Sequence, residues 1–408
     1  MKTDAVRLTP DNIRRTLQGI PLKAKLALRA AMQLPHGTLT VQLPDGRGIS
    51  VGGNAPGPDA ELILHNWNLP RRALSEATVG VGESYMDGDW DSPDVTAFLE
   101  LFVANETLGY QIARANRLFR AFNTFRHWLN RNTKTNSKRN ISAHYDLGND
   151  FYSRWLDSSM TYSSALYGEG ANDLPSAQAA KYRALARATG IGPDDHVLEI
   201  GCGWGGFAEF AATEIGCRVT GLTISQEQLD FARKRIRRAG LDDKVTLKFQ
   251  DYRDETETYD RVVSIEMFEA VGEQYWPTYF DKLRDVLKAG GRAGLQIITI
   301  NERAFPEYKA NPDFIQRYIF PGGMLPTPQI LDALTAERGL SRVAERVFAQ
   351  DYARTLAAWR ERFQHAWEDI ANLGFDTRFK RMWEFYLHYC EAGFRDEFID
   401  VRQIVYAR

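Results

Sequence analysis

Apolar and polar positions alternate with a period of two through GTLTVQLPDGRGISVGG, and the Asp45-Gly46 pair falls where two short strands would reverse. The pattern predicts a β-hairpin. AELILHNWN continues it, and in ATVGVGESYMDGDW glycines punctuate short apolar stretches. DSPDVTAFLELFVAN then carries a helical spacing, with Ser92 the expected N-cap and Pro93 at the first helical position. Residues 1–105 thus read as a small α+β unit. A different texture follows over 106–140. Leu118, Phe119, Phe122, Phe125, Trp128 and Leu129 recur at helical spacing among Arg114, Arg117, Arg120, Arg126, Arg131, Lys134, Lys138 and Arg139. From Thr107 to Tyr145 there is no Asp or Glu. Such a stretch is either a basic amphipathic helix able to lie on an anionic bilayer or a linker helix whose apolar stripe packs on a neighbour.

From 141 to 408 strand and helix patterns alternate. HVLEIGCG precedes the helical GGFAEFAATEIG, RVTGLTIS precedes QEQLDFARKRIRRAG, and VTLKFQD, YDRVVSIEMF and GRAGLQIITI follow, with FIDVRQIVYAR as a last strand. Alternation of this kind predicts an α/β domain built on a doubly wound parallel sheet.

Composition narrows the function. At 44% apolar and 25% charged residues, the chain has the balance of a globular protein with a sizeable core. A net charge of −2 gives the whole molecule no electrostatic claim on nucleic acid, so affinity for an anionic membrane must be local. Cys202, Cys217 and Cys390 form no metal-ligand or disulfide spacing. Neither a secretory signal nor an apolar run of bilayer length is visible, so the expected location is cytoplasmic.

The richest chemical signal is Glu199-Ile200-Gly201-Cys202-Gly203-Trp204-Gly205-Gly206, where a strand turns into a helix. Glycines there let a ligand approach the backbone closely. Read literally, the loop satisfies G-x-G-x-x-G, but a dinucleotide enzyme wants an acidic residue after the second strand. That stretch is GLTIS, with no acid before Glu227. With Glu199 ahead of it, the loop instead resembles that of class I methyltransferases, which take S-adenosylmethionine. Asp251 would then accept the adenine amine, and Tyr252 would offer an aromatic face.

SAHYDLGNDFY, SSMTYSSALY, VLEIGCGWGG, GLTISQEQ, IEMFEAVG, YIFPGGMLP and RVFAQDYARTLAAWRERF together resemble the cyclopropane-fatty-acyl-phospholipid synthases, including the mycolic acid cyclopropane synthases. GVGESYMDGDW resembles the N-terminal domain of the bacterial phospholipid enzymes. The resemblance implies a Rossmann-like methyltransferase domain over 141–408 that uses S-adenosylmethionine. It would methylate cis double bonds of phospholipid acyl chains and yield cyclopropanes. The partner would be unsaturated phospholipid, met peripherally at the inner face of the membrane, with a homodimer left open. The cofactor-facing residues it implies are Tyr145, Tyr162, Ser163, Glu199, Gly201, Gly203, Thr223, Ser225, Gln228, Asp251 and Tyr252.

The resemblance also implies a bound bicarbonate as base, held by a cysteine backbone, a glutamate, a histidine, an isoleucine backbone and a tyrosine. Glu269, Ile298 and Tyr352 match three of these, while Ser164 stands for the cysteine and Gln296 for the histidine. Glutamine donates an N–H but cannot become cationic, which weakens its hold on an anion. Glu269, or a water it orients, is then left to take the proton, and a methyl-branched or methylene product becomes the alternative. Two other classes fit less well. A small-molecule methyltransferase does not need the N-terminal region, and a lipid-binding protein does not need the glycine loop, Glu269 and Tyr352.

Overall fold

The computed structural model describes residues 5–105, 147–168 and 170–408. Tyr145 and the basic stretch 106–140 lie outside the described residues. The chain divides into two compact units. Among the described residues, the first takes 5–105, 310–317 and 374–398, and the second takes the rest.

In the first unit five strands, β1 (Val6–Arg7), β2 (His36–Gln42), β3 (Gly48–Gly52), β4 (Ala55–Leu64) and β5 (Trp90–Asp91), form a sheet in the order β1-β3-β2-β4-β5. β2 and β3 are the expected hairpin, antiparallel, with Gly46 in the turn at φ 84°. Two local expectations give way. The glycine-punctuated stretch lies in a helix, Asn68–Met86, kinked at Ala77. A Cβ on Gly82 would stand 2.3 Å from the Phe314 ring, so glycine there permits close packing rather than breaking the element. The helix Val95–Ala104 is capped by Asp94, whose carboxylate accepts from Ala97 N at 3.0 Å. Ser92 instead lies two residues before that cap and accepts from Asp94 N at 3.2 Å. The late helix Thr377–Arg395 belongs to this unit: Arg381 lies over the Tyr85 ring and donates to Trp90 O at 2.7 Å.

The second unit carries the sheet that places the chemistry. Its strands are β6 (His196–Ile200), β7 (Arg218–Thr223), β8 (Val245–Phe249), β9 (Tyr259–Ile265), β10 (Leu287–Ile300), β11 (Ser341–Val347) and β12 (Ile399–Ala407), in the order β11-β12-β10-β9-β6-β7-β8. Strands β8 to β10 across the sheet are parallel, and β12 runs antiparallel to both β10 and β11. Both faces are covered, as a doubly wound sheet requires. Val262 joins a core with Phe268, Tyr279 and Leu283, while Val263 joins another with Leu185, Phe207 and Leu229. Successive residues of one strand thus serve opposite faces. The chain runs outward one way from β6 through β7 to β8, and the other way from β9 to β10. The strand order therefore reverses between β6 and β9, and their carboxyl ends open the crevice where such sheets take ligands.

Candidate active site

Two segments leave the sheet at that reversal. The glycine loop follows β6, and Glu266-Met267-Phe268-Glu269 follows β9. Leu222 O of β7 accepts from both Gly201 N (3.0 Å) and Cys202 N (2.9 Å), which fixes the loop at its root. Gly203 holds φ 51°, in the left-handed region, and a Cβ built on it would meet nothing within 4 Å. The loop therefore presents bare backbone to open space. Glu199 lies buried under the loop, one carboxylate oxygen unpartnered. Burial pushes its carboxyl up to about 8, against the pull of Lys181 and the Ala208 backbone.

The other expected cofactor residues line the neighbouring strand ends. Thr223 closes β7, donating to Gln228 Oε1 at 3.1 Å and accepting from Ser225 N at 3.1 Å. Ser225 caps the helix Gln226–Arg238 through Gln228 N. Asp251, after β8, is clamped by Arg253 through Nε (2.8 Å) and an Nη (2.6 Å). Tyr252 packs edge-on to Tyr279 at 5.5 Å between centroids. Ser163 is buried, its hydroxyl accepting from Lys181 Nζ at 2.6 Å. Tyr162 enters an aromatic wall, with ring centroids 5.5 Å from Tyr152, 5.5 Å from Trp155, 5.3 Å from Trp359 and 6.4 Å from Phe320. Stripping Lys181 of solvent drops its amine to about 7, although Glu266, Asp157 and Glu199 favour its charge.

Three of the five residues expected to hold an anion, Ser164, Gln296 and Tyr352, come together around a residue that sequence reasoning passed over. Glu266 Oε1 accepts from Ser164 N at 2.8 Å and from Gln296 Nε2 at 2.7 Å. Its Oε2 accepts from the Tyr352 hydroxyl at 2.6 Å. The register explains the meeting. Gln296 of β10 pairs with Ile265 of β9 on one side and Gln403 of β12 on the other. Gln403 Nε2 donates to Gln296 Oε1 at 3.1 Å, which turns the Gln296 N–H toward Glu266. Tyr352 arrives on the helix Ala349–His365. That helix is tied to the 163–165 turn by Ala165 N donating to Thr355 Oγ1 at 3.1 Å.

Glu269 sits apart from this cradle. Its Oε1 accepts from Ile298 N at 2.5 Å, and its Oε2 is buried without a partner. Its backbone carbonyl accepts from Met324 N at 2.9 Å, which brings the YIFPGGMLP segment to the site. Burial, and then the nearby charge of Glu266, push the Glu269 carboxyl up to about 8, opposed by the Ile298 N–H. Burial also raises Glu266, and Tyr352, Lys181, Gln296 and Ser164 each pull it back. Two carboxylates in one desolvated corner cannot both ionise cheaply. Glu269 has one donor and Glu266 has three, so a negative charge is better supported on Glu266. A signal for Glu266 was present: it is the acid directly after an apolar strand, three residues before Glu269.

The family model described as mycolic acid cyclopropane synthetase matches residues 132–404. The chain is 38% identical over 373 residues to the cyclopropane-fatty-acyl-phospholipid synthase of Escherichia coli, covering 88% of this chain and 90% of that protein. It is 37% identical over 388 residues to the tuberculostearic acid methyltransferase UfaA1 of Mycobacterium tuberculosis, covering 93% and 89%. The solved mycolic acid cyclopropane synthase CmaA1, complexed with SAH and CTAB, superposes with a TM-score of 0.62 at 28% identity, covering 66% of this chain and 98% of that one.

Proposed function

This chain belongs to the mycolic acid cyclopropane synthetase family and is an S-adenosylmethionine-dependent lipid methyltransferase, and from that premise we propose that it methylates cis double bonds in phospholipid acyl chains to give cyclopropanes. The observation that carries the reading is a carboxylate pair joined to an aromatic wall. Tyr352, hydrogen-bonded to Glu266, has its ring 6.1 Å from Trp359, which packs in turn at a tilt against Tyr162 and edge-on against Trp155. An alkene that attacks a methyl electrophile becomes a carbocation on an apolar chain. Aromatic faces and a negative carboxylate suit that charge.

S-adenosylmethionine supplies the sulfonium methyl group. The bare backbone at Gly203 and the unpartnered oxygen of Glu199 are compatible with a cofactor at the β6 end. In this reading Gly201 and Gly203 admit it, and Thr223, Ser225, Gln228, Asp251 and Tyr252 line its adenosine side. Tyr145, Tyr162, Ser163 and Glu199 complete the set. The Asp251 carboxylate, oriented by Arg253, would accept the exocyclic amine. The substrate would be met at the inner membrane face, with the 106–140 stretch as the local basic patch. Among the described residues no helix is long and apolar enough to cross a membrane.

A second reading ends at a methylene chain, formed when a 1,2-hydride shift moves the cation to the methylated carbon before the methyl group loses its proton, or at a methyl-branched alkene, formed when a neighbouring chain carbon loses the proton. Ser164 and Gln296, standing where the resemblance expects cysteine and histidine, favour it. So does the relative named for tuberculostearic acid. The test uses methyl-labelled cofactor with vesicles of dioleoyl or of fully saturated phospholipid, followed by transesterification. Label is expected in the acyl chains of the unsaturated lipid alone, with NMR separating cyclopropane from methylene protons. Label found only in water-soluble acceptors would overturn both readings.

A further inference from the structure

The anion cradle is already filled by the protein. Three of the five groups expected to hold a bicarbonate, Ser164 N, Gln296 Nε2 and the Tyr352 hydroxyl, donate to the two oxygens of Glu266 at 2.8, 2.7 and 2.6 Å. The other two, Glu269 and Ile298 N, are bonded to each other. A bicarbonate ion therefore does not fit as the residues stand. It would have to displace a covalently tethered carboxylate from each donor and then face that carboxylate's charge at close range.

We infer that Glu266 takes the place of bicarbonate, as a built-in carboxylate base that ends the reaction without any exogenous anion. The inference rests on the acyl-chain reading above. Three further features support it. Glu266 adopts φ 49°, a conformation costly for a residue with a side chain, which persists only where the surroundings enforce it. Its own N–H donates to Gln296 O at 2.8 Å, so the backbone and the carboxylate are both held against the same residue. The neutral glutamine is also explained. A free bicarbonate must be captured from water and benefits from a cationic clamp, whereas a tethered carboxylate needs only orientation.

The step balances as follows. The alkene π pair forms a bond to the sulfonium methyl carbon, the S–C pair stays on sulfur as a neutral thioether, and the remaining alkene carbon becomes cationic. Glu266 accepts a proton from the new methyl group, and the C–H pair closes the ring. If the proton instead comes from an adjacent chain carbon, the same carboxylate ends the reaction at an alkene. Glu266 then returns the proton to water between turnovers. Glu269, bonded to Ile298 N, lies outside the cradle and is not assigned as the acceptor.

The test measures turnover of the full chain on dioleoylphosphatidylglycerol vesicles, in buffer stripped of carbon dioxide and with bicarbonate restored. The wild-type rate should be the same in both, within about twofold. Glu266→Gln should fall by about 100-fold or more in both, because the amide refills the cradle but takes no proton. Glu266→Gly suits the left-handed backbone and empties the cradle. It should be as slow in stripped buffer and recover about tenfold or more with bicarbonate. Calorimetric affinity for S-adenosylhomocysteine reports whether each variant keeps its fold. A wild type that needs added bicarbonate, or Glu266→Gly at full rate without it, overturns the inference while leaving the acyl-chain reading intact. A wild type that transfers no methyl to unsaturated lipid in either buffer overturns that reading, and this inference with it.

Discussion

Glu266 and Glu269 are three residues apart, leave the same strand and differ in how a negative charge on each is supported. The difference comes from donors: three N–H or O–H groups reach Glu266, and one reaches Glu269. A group whose folded pKa of about 8 stands above the ordinary 4.5 holds its proton more tightly in the folded chain. The stability that proton confers is complete below about pH 4.5 and is lost as pH rises through 8. Glu269→Gln fixes the neutral form at every pH while its carbonyl still accepts from Ile298 N. Chemical unfolding at pH 5.5 and 8.5 should therefore show the wild type losing on the order of 1 kcal/mol or more relative to the variant. Turnover of the variant should stay within about tenfold of wild type, since the proton acceptor is untouched. A pH-independent difference in stability, or turnover as low as in Glu266→Gln, would mean that the charges are assigned the wrong way round.

At the scale of elements, the site is made by strand ends, and most of those were legible. The apolar run before Gly201 and the one before Glu266 each fix a strand whose carboxyl end must face the crevice. Residues anchored to such ends, Thr223 and Asp251 among them, could be placed from sequence. Glu266 was missed because its partners come from across the sheet. Nothing local says that Gln296, thirty residues on, pairs beside Ile265, or that Gln403 turns its amide. Helix boundaries were missed for a related reason: Asp94 and Ser92 are both good caps, and only the backbone decides that Asp94 reaches Ala97 N. The glycine loop offers a test of its own element. Gly203→Val puts a β-branched residue at φ 51°, which costs roughly 1–3 kcal/mol of backbone strain, and fills the space left open above the loop. Calorimetry should show affinity for S-adenosylmethionine falling by about tenfold or more, with the fold retained by circular dichroism. Unchanged affinity would take the cofactor away from the β6 end.

On the scale of the whole molecule, sequence pattern reported which segments are helices and strands more readily than which unit each one joins. Thr377–Arg395 has a clear apolar face, but the pattern does not say what covers it; that the helix clusters with the first unit follows from contacts such as Arg381 with Trp90 and Thr96 with His388. Net charge raises the opposite question, of a local feature the average conceals. With −2 overall, the chain has no general attraction to an anionic surface, yet eight basic residues and no acid lie between Arg114 and Arg139. If that stretch docks on headgroups, each near-surface charge contributes about 1 kcal/mol, and the attraction fades as salt shortens the Debye length from about 10 Å at 0.1 M to about 3 Å at 1 M. Replacing Arg117, Arg120 and Arg126 with glutamine should lower flotation with phosphatidylglycerol vesicles by about tenfold or more at low salt. The gap between variant and wild type should close as salt rises, and neutral phosphatidylcholine vesicles should show little difference at any salt. The triple variant should also keep its affinity for S-adenosylhomocysteine, because none of the three arginines is assigned to the cofactor. Equal flotation of both proteins on anionic vesicles at low salt would return the stretch to a linker, and would leave membrane contact to be supplied by another surface.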